Sequence, residues 1–320
     1  MKVLANDGIS ESGRQMLESE GFEVIVTKVA QNQLIDFLNN NNIEVILVRS
    51  STKIGKDILD ACPKLKIIGR GGVGLDNIEV GYAQSKNIEV INTPEASSGS
   101  VAELVFAHLF TGARHLHDSN RNMPLEGDSR FLDLKRSYAA GVELRGKTLG
   151  IIGFGRIGKA VSKIALGLGM KVIASDSEVG EAKIELTFHN HQSIKIPIKT
   201  EPIDQLIQHS DFITLHVPAQ ISPILGAKEF GEMKQGVGIV NTARGGIIDE
   251  EALVEALEDG HVSFAALDTF ADEPTPSIKI LMNEKISLSP HIGAATLEAQ
   301  KRIGEELATQ IISIYQKEKA

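Results

Sequence analysis

The sequence has little of what marks secreted, disulfide-rich or membrane proteins. It contains one cysteine, Cys62, and no tryptophan, and aromatic residues make up only 4% of the chain. A single cysteine cannot form an internal disulfide, which fits a reducing compartment. The apolar start at 1–5 is shorter than the core of a signal peptide, and no apolar run reaches membrane-spanning length. We therefore expect a cytoplasmic protein.

Positive charge is also scarce. The chain has 33 Lys and Arg against 42 Asp and Glu, a formal net charge of -9. This balance argues against a broad surface that binds nucleic acid or membranes. A single cleft can still be positive and bind a small anion. The length of 320 residues suits two domains.

Short aliphatic runs alternate with amphipathic stretches in two series, one before residue 98 and one after residue 147. Strands that alternate with helices predict parallel sheets with both faces covered, so we predict two doubly wound α/β domains. The strands of the first series are predicted at Val3–Ala5, Val24–Val26, Val45–Val48, Ile67–Ile68 and Val90–Ile91. Those of the second are predicted at Leu149–Ile152, Val172–Ala174, Phe212–Leu215, Ile239–Val240, Phe264–Leu267 and Ile286–Leu288.

Two segments interrupt this alternation. Residues 115–146 are charged and rich in turn formers, and we predict an irregular arm there. Apolar and polar residues alternate over Ile184–Phe188 and again over Ile194–Ile198. That pattern predicts a β-hairpin, with Pro197 placing its second strand at an edge.

A glycine-rich turn, Gly153-Phe154-Gly155-Arg156-Ile157-Gly158, directly follows the predicted strand Leu149–Ile152. In a dinucleotide-binding turn the first glycine allows the tight bend, the second lets the pyrophosphate approach, and the third lets helix and strand pack closely. Asp176 ends the next predicted strand, at the spacing of a carboxylate that binds the ribose. Because this carboxylate would repel a 2′-phosphate, the pattern predicts NAD rather than NADP.

Two other motifs are less informative. Residues 141–148 match the P-loop pattern, but they precede a strand instead of following one, so we attribute the match to chance. The pairs His115/His117 and His189/His191 have no evident third ligand, so we predict no metal site. A second glycine cluster, 69–74, follows a predicted strand, and its N–H groups could bind a substrate carboxylate or merely connect two elements.

Candidate catalytic residues follow predicted strands of the second series, where open α/β sheets bind ligands. The planar guanidinium of Arg244 can donate two parallel hydrogen bonds to a carboxylate. Asp268 ends a strand, and Glu273 lies just beyond it. His291 follows the last strand, and a histidine can remove the hydroxyl proton when an alcohol is oxidised. A carboxylate behind that histidine would orient its ring.

These motifs resemble the D-isomer-specific 2-hydroxyacid dehydrogenase family and, within it, the phosphoglycerate dehydrogenases. The resemblance covers nearly the whole chain. Its most specific segments are Val48–Lys53, Gly69–Asn77, Asn92–Pro94, Gly146–Gly158, Asn241–Asp249 and Ser289–Thr296. It implies a Rossmann NAD domain, residues 99–291, inserted into a flavodoxin-like substrate domain formed by residues 1–98 and 292–320. It also implies a homodimer, and a form without the C-terminal regulatory domain of some relatives.

The resemblance also implies roles for single residues. Arg244 would bind and polarise the substrate, Glu273 would support the histidine, and His291 would be the acid/base. The implied cofactor contacts are Gly153, Gly155, Arg156, Ile157, Gly158, Asp176, Val217, Thr242, Asp268, His291 and Gly293. The implied substrate contacts are Arg49, Ser51, Val73, Gly74 and Arg244.

Several departures and alternatives stay open. The arm lacks the tryptophan that relatives often carry, the hairpin region is longer than usual, and Val217 replaces a frequent threonine. The implied reaction is NAD-dependent oxidation of 3-phosphoglycerate to 3-phosphohydroxypyruvate, the first step of serine biosynthesis. Glyoxylate or hydroxypyruvate reduction is the alternative within the enzyme class. An NAD(H)-sensing protein like the corepressors that share this fold is the alternative from another class.

Overall fold

A computed structural model describes residues 1–319. The strands are β1 (Lys2–Ala5), β2 (Glu23–Val26), β3 (Val45–Val48), β4 (Ile67–Arg70), β5 (Glu89–Asn92), β6 (Thr148–Ile152), β7 (Lys171–Ser175), β8 (Glu181–Thr187), β9 (Ser193–Lys199), β10 (Phe212–Leu215), β11 (Val237–Asn241), β12 (Val262–Leu267) and β13 (Ile286–Leu288). The α-helices are α1 (Glu11–Ser19), α2 (Leu34–Asn40), α3 (Lys56–Ala61), α4 (Val80–Ser85), α5 (Ser98–Ala113), α6 (Leu116–Glu126), α7 (Phe131–Ser137), α8 (Arg156–Gly167), α9 (Ile203–His209), α10 (Ala227–Glu232), α11 (Glu250–Glu258), α12 (Ile278–Leu281) and α13 (Leu297–Lys319).

The chain divides into two compact units. The split unit contains Met1–Ser100 and the chain from Ala294 onward, and the inserted unit contains Val101–Gly293. The sequence prediction placed these boundaries after residue 98 and after residue 291.

The split unit is built on a five-stranded parallel sheet in the order β2-β1-β3-β4-β5. Every residue of β3 is buried, as expected for a central strand covered on both faces. Helix α13 packs against α1, where a Cβ on Gly13 would lie 2.4 Å from the carbonyl oxygen of Gly304. The two helices therefore cross at a point where only glycine fits.

The inserted unit is built on a six-stranded parallel sheet in the order β13-β12-β11-β10-β6-β7. Beyond β7, Thr200 forms a single isolated parallel bridge with Ala174. The strand order reverses between β6 and β10, so the carboxyl ends of these two strands form a topological switch point where ligands bind. The predicted fold, a Rossmann unit inserted into a flavodoxin-like unit, is confirmed.

The predicted hairpin is present as β8 and β9, which pair antiparallel with Ile184 opposite Ile196. Ile184 and Ile198 are buried in the core that includes residues of α8, whereas Ile194, nearer the turn, is 54% exposed. The hairpin thus occupies the connection after β7 and covers part of α8.

The predicted irregular arm is wrong, because its first two thirds form α6 and α7. Neither helix has a continuous buried stripe, and α6 has no buried residue at all. Polar contacts join them instead. The hydroxyl of Tyr138 donates to Asp118 at 2.7 Å and accepts from the side-chain amide of Asn122 at 2.8 Å.

Within residues 1–319, no helix combines the length and the apolar character that crossing a bilayer requires. The same described residues contain no group of three or more His, Cys, Asp or Glu side chains arranged to hold a metal ion.

Candidate active site

The glycine turn after β6 is shaped by steric limits that differ at each glycine. Gly153 has φ +93°, and a Cβ there would lie 2.5 Å from the carbonyl oxygen of His216. A Cβ on Gly158 would lie 2.2 Å from the carbonyl oxygen of Gly153. A Cβ on Gly155 would meet nothing within 4 Å, so this position faces open space. Gly155 is the N-cap of α8, whose first N–H groups can bind an anion.

Asp176, after β7, is held against this turn. Its Oδ2 accepts the N–H of Phe154 at 2.6 Å, and its Oδ1 accepts those of Glu178 and Val179 at 2.8 and 3.0 Å. Burial raises the pKa of Asp176, but these backbone donors and the charge of Lys159 outweigh it and lower the pKa overall. The carboxylate is therefore charged, and its remaining lone pairs can accept ribose hydroxyls.

The other predicted cofactor residues lie at the same edge of the sheet. Arg156 and Ile157 are the first two residues of α8, and Val217 lies just after β10. Thr242, just after β11, has a buried hydroxyl with no hydrogen-bond partner among the described residues. A polar group of a bound cofactor could be the hydrogen-bond partner that this hydroxyl lacks. These residues fit a dinucleotide lying across the switch point.

His291 and Glu273 form the candidate acid/base pair. His291 Nδ1 lies 2.9 Å from Glu273 Oε2, and both side chains are slightly more than one-third exposed. Glu273 is fixed in turn because its Oε1 accepts the N–H of Phe270 at 3.1 Å. The ring Nε2 of His291 is left to exchange a proton with a ligand.

Asp268, at the end of β12, is fully buried and anchors the segment that carries His291. Its Oδ1 accepts the N–H of Ile292 at 2.8 Å and the hydroxyl of Ser289 at 2.6 Å. Its Oδ2 accepts the N–H of Gly293 at 2.9 Å. The structure thus gives Asp268 a structural contact with the segment that carries His291, which sequence reasoning did not foresee.

Arg244 lies in the turn after β11. Asn241 holds that turn, since its side-chain amide donates to the carbonyl of Arg244 at 2.8 Å and its Oδ1 accepts the N–H of Ala243 at 3.0 Å. Gly245 touches the segment before Glu273 so closely that a Cβ would lie 1.7 Å from the carbonyl oxygen of Phe270. The arginine turn and the glutamate segment are therefore packed directly against each other.

A cavity of about 420 Å³ adjoins the acid/base pair. Its lining is mainly apolar and includes Phe270, Pro274, Leu281, Leu288 and Pro290. Low polarity beside the pair strengthens electrostatic interactions with a bound substrate.

The predicted substrate residues Arg49 and Ser51 lie in the split unit and line a pocket of about 530 Å³. Burial lowers the pKa of Arg49, while the charge of Asp7 raises it. The guanidinium forms no hydrogen bond or ion pair with any residue in the described part of the chain. Arg49 is therefore a partly desolvated cation without a bonded counter-ion.

Sequence reasoning missed two residues of this pocket. Asp7 accepts the hydroxyls of Ser51 and Thr52 at 2.7 and 2.9 Å and the backbone N–H of Arg49 at 2.6 Å. Lys28 forms an ion pair with the same carboxylate and donates to Ser51 at 2.8 Å. Their only sequence signal is their position just after β1 and β2, at the carboxyl edge of the sheet.

The second glycine cluster lies after β4. The side-chain amide of Asn92 donates to the carbonyl of Val73 at 2.7 Å. The N–H groups of Val73 and Gly74 donate to nothing within residues 1–319, so they can donate to a ligand.

The comparisons with known proteins agree with this geometry. Residues 106–293 match the NAD-binding domain of the D-isomer specific 2-hydroxyacid dehydrogenases. The chain is 42% identical over 316 residues to a hydroxypyruvate reductase of Thermotoga maritima, covering 97% of each. It is 39% identical over 322 residues to a D-3-phosphoglycerate dehydrogenase of Methanocaldococcus jannaschii, covering 100% of this chain and 58% of that protein.

Among solved structures, the NAD⁺-bound 3-phosphoglycerate dehydrogenase of Entamoeba histolytica superposes with a TM-score of 0.77 at 28% identity, covering 99% of this chain and 95% of that one. The chain spans little more than half the length of the curated phosphoglycerate dehydrogenases it matches. The predicted family and its NAD cofactor are confirmed: the chain belongs to the D-isomer-specific 2-hydroxyacid dehydrogenases, a family of NAD-dependent oxidoreductases.

Proposed function

We propose that the protein transfers a hydride between NAD and carbon 2 of a D-2-hydroxy acid, with His291, Glu273 and Arg244 as its catalytic residues. The observation that carries this proposal is the 2.9 Å contact between His291 and Glu273 next to an apolar cavity. The glycine turn and Asp176 would hold NAD, which would supply the hydride acceptor.

The protein supplies the proton chemistry. His291 Nε2 takes the hydroxyl proton as the hydride leaves carbon 2, and Glu273 stabilises the imidazolium that forms. Arg244 binds the substrate carboxylate and polarises the developing carbonyl. In the reverse direction His291 returns the proton to the oxygen.

We propose that Asp176 selects the cofactor, with its charged carboxylate binding the ribose hydroxyls and repelling a 2′-phosphate. Asp176→Ala should weaken the binding of NAD and reduce the preference of the protein for NAD over NADP. The measurement is the ratio of kcat/KM for the two cofactors. Equal use of both by the unmodified protein would contradict this role.

For the substrate we favour 3-phosphoglycerate, which the reaction would convert to 3-phosphohydroxypyruvate at the start of serine biosynthesis. Arg49 supports this choice, because a partly buried guanidinium without a bonded counter-ion gains most from a phosphate. The N–H groups of Val73 and Gly74 would supply further donors. Ser51 would lie beside the substrate, although its hydroxyl already donates to Asp7. This assignment makes the split unit the substrate domain and the inserted unit the NAD domain.

Reduction of hydroxypyruvate or glyoxylate is the second candidate. The specific observation in its favour is that the Thermotoga maritima hydroxypyruvate reductase is more similar to this chain than the phosphoglycerate dehydrogenase relatives described above, at 42% against 39% identity.

A substrate panel followed by NADH absorbance separates the candidates. Turnover of no 2-hydroxy or 2-oxo acid would favour an NAD(H)-sensing protein. Arg49→Ala should raise the KM for 3-phosphoglycerate by roughly 10- to 150-fold, the loss of charge-assisted bonds of about 1.5–3 kcal/mol. It should change the KM for an unphosphorylated acid far less. Lys64→Ala, which removes an exposed cation of the same unit, is the control. Equal effects of Arg49→Ala on the KM values of both substrates would favour hydroxypyruvate or glyoxylate as the substrate.

We also propose a cytoplasmic homodimer. Cys62, the only cysteine, is a buried free thiol, which fits a reducing compartment. Large apolar side chains are exposed on the two arm helices, and such patches mark protein contacts. They are Leu116, Met123, Leu125, Phe131 and Leu132.

A further inference from the structure

Helix α5 carries, in its part that belongs to the inserted unit, a buried histidine that the proposed chemistry does not use. His108 is 5% exposed within an otherwise apolar stretch of the helix. Its Nδ1 lies 3.0 Å from the hydroxyl of Ser287, and its Nε2 lies 2.9 Å from the hydroxyl of Ser289. Ser287 lies in β13, and Ser289 lies between β13 and His291.

The direction of these hydrogen bonds follows from Asp268. The hydroxyl of Ser289 donates to Asp268 Oδ1 at 2.6 Å, so its oxygen must accept from His108 Nε2. Burial lowers the pKa of His108, although the charge of Asp268 raises it. The ring is therefore neutral, with its proton on Nε2, and Nδ1 accepts the hydroxyl of Ser287.

This chain of bonds ends on the backbone next to His291. Asp268 accepts the hydroxyl of Ser289 and the N–H groups of Ile292 and Gly293, so one carboxylate fixes both sides of His291. His291 itself has φ 54°, a left-handed backbone that a non-glycine residue adopts only when its surroundings impose it.

We propose that His108 is a positioning residue for the reaction, which acts through Ser289 and Asp268 to hold the backbone around His291. Its contribution is geometric, since the buried ring is bonded through both nitrogens to Ser287 and Ser289. The inference rests on the dehydrogenase chemistry proposed above, but not on which 2-hydroxy acid is the substrate.

Two substitutions of similar side-chain length separate positioning from simple core packing. His108→Leu fills the site with an apolar side chain and removes the donor to Ser289. His108→Gln places an amide nitrogen about as far from the backbone as Nε2, so it can donate to Ser289. Ser289→Ala breaks the same chain at a second place, which keeps the test decisive if His108→Leu does not fold.

We expect His108→Leu and Ser289→Ala to lower kcat by roughly 10- to 100-fold, the scale for a displaced catalytic group. The KM values and the dissociation constant of NADH should change less than about threefold, and His108→Gln should recover most of the turnover. Equal kcat in folded His108→Leu and the unmodified protein would overturn the proposal. So would a His108→Gln variant as slow as His108→Leu.

Hydrogen exchange provides a readout that is independent of turnover. The amides of Ile292 and Gly293 should exchange faster in His108→Leu than in the unmodified protein, but not in His108→Gln. Unchanged exchange in His108→Leu would overturn the positioning role. If no 2-hydroxy or 2-oxo acid is turned over, the proposed function fails while the exchange result still decides the role of His108.

Discussion

At the scale of single residues, the left-handed backbone of His291 has a clear cause. The residue follows Pro290, and Asp268 draws the next two N–H groups toward the buried end of β12. A left-handed non-glycine residue costs on the order of 1–2 kcal/mol. The bonds to Asp268 offset this cost, and they leave the imidazole facing Glu273.

Removal of the acid/base should therefore affect chemistry more than binding. We expect His291→Ala to bind NAD nearly normally and to turn over roughly 10²–10⁴-fold more slowly, the usual contribution of general acid/base catalysis. Steady-state rates and NADH fluorescence titration measure the two effects. His209→Ala, which removes an exposed histidine on α9, is the control. Retention of most activity in His291→Ala would remove His291 from the mechanism.

His216, just after β10, should make stability depend on pH. Burial lowers its pKa to about 3, and its Nδ1 has no partner among the described residues. A histidine in the unfolded chain titrates near 6.5, so below that pH the unfolded state binds more protons than the folded state. The free energy of unfolding therefore falls as the pH drops from 6.5 toward 3.

The expected loss from His216 is about 2 kcal/mol between pH 6.5 and 4.5, because each pKa unit corresponds to about 1.4 kcal/mol and the unfolded histidine is only half protonated at pH 6.5. His216→Gln stays uncharged and should remove this part of the pH dependence. Urea denaturation at the two pH values measures it, and His209→Gln serves as the exposed control. An identical pH dependence in His216→Gln and the unmodified protein would refute the assignment.

The sequence predicted some of these residues and not others, for a physical reason. Arg244, Glu273 and His291 follow buried strands, and parallel strands bring their carboxyl ends to one edge. His108 has no comparable signal, since a polar residue within an apolar helix reveals its partners only after folding. Asp7 also lacks a sequence signal, because its hydrogen-bond donors come from segments that are distant in sequence.

At the scale of elements, the hairpin was predictable and the arm was not. Apolar and polar residues alternate along β8 and β9 because one face of the hairpin packs on the core. Helices α6 and α7 bury little apolar surface and are joined by polar contacts such as Asp118 to Tyr138. Hydrophobic periodicity cannot detect a helix that has no buried stripe.

The hairpin also gives a stability prediction with an internal control. Ile184 is 2% exposed and Ile194 is 54% exposed, although they lie on paired strands of one hairpin. Ile184→Ala should lower the free energy of unfolding by about 2–4 kcal/mol through lost burial and a residual cavity. Ile194→Ala should change it by about 0.5 kcal/mol or less. Urea unfolding curves measure both changes. Equal effects of the two substitutions would mean that the hairpin does not pack on the core through Ile184.

At the scale of the whole molecule, the exposed apolar side chains of the arm should determine assembly. Phe131 and Leu132 are 54% and 64% exposed at the start of α7. In a homodimer such a patch is buried against a second copy. Phe131→Asp combined with Leu132→Asp should therefore yield monomers in light scattering coupled to size exclusion. Phe188→Asp, on the hairpin turn, should leave the dimer intact. A double variant that still dimerises would exclude the arm as the interface.

The crossing of α1 and α13 has a consequence for synthesis on the ribosome. Leu17 on α1 is fully buried, in a core that also contains Leu307 and Ile311 of α13. Ribosomes add roughly 5–20 residues per second, so about 15–60 seconds separate the emergence of the two helices. During that interval the inserted unit can complete its own sheet, whereas the nascent split unit still exposes the apolar face that α13 will cover. We therefore expect the segment translated first to be the part of the chain that depends longest on chaperone protection.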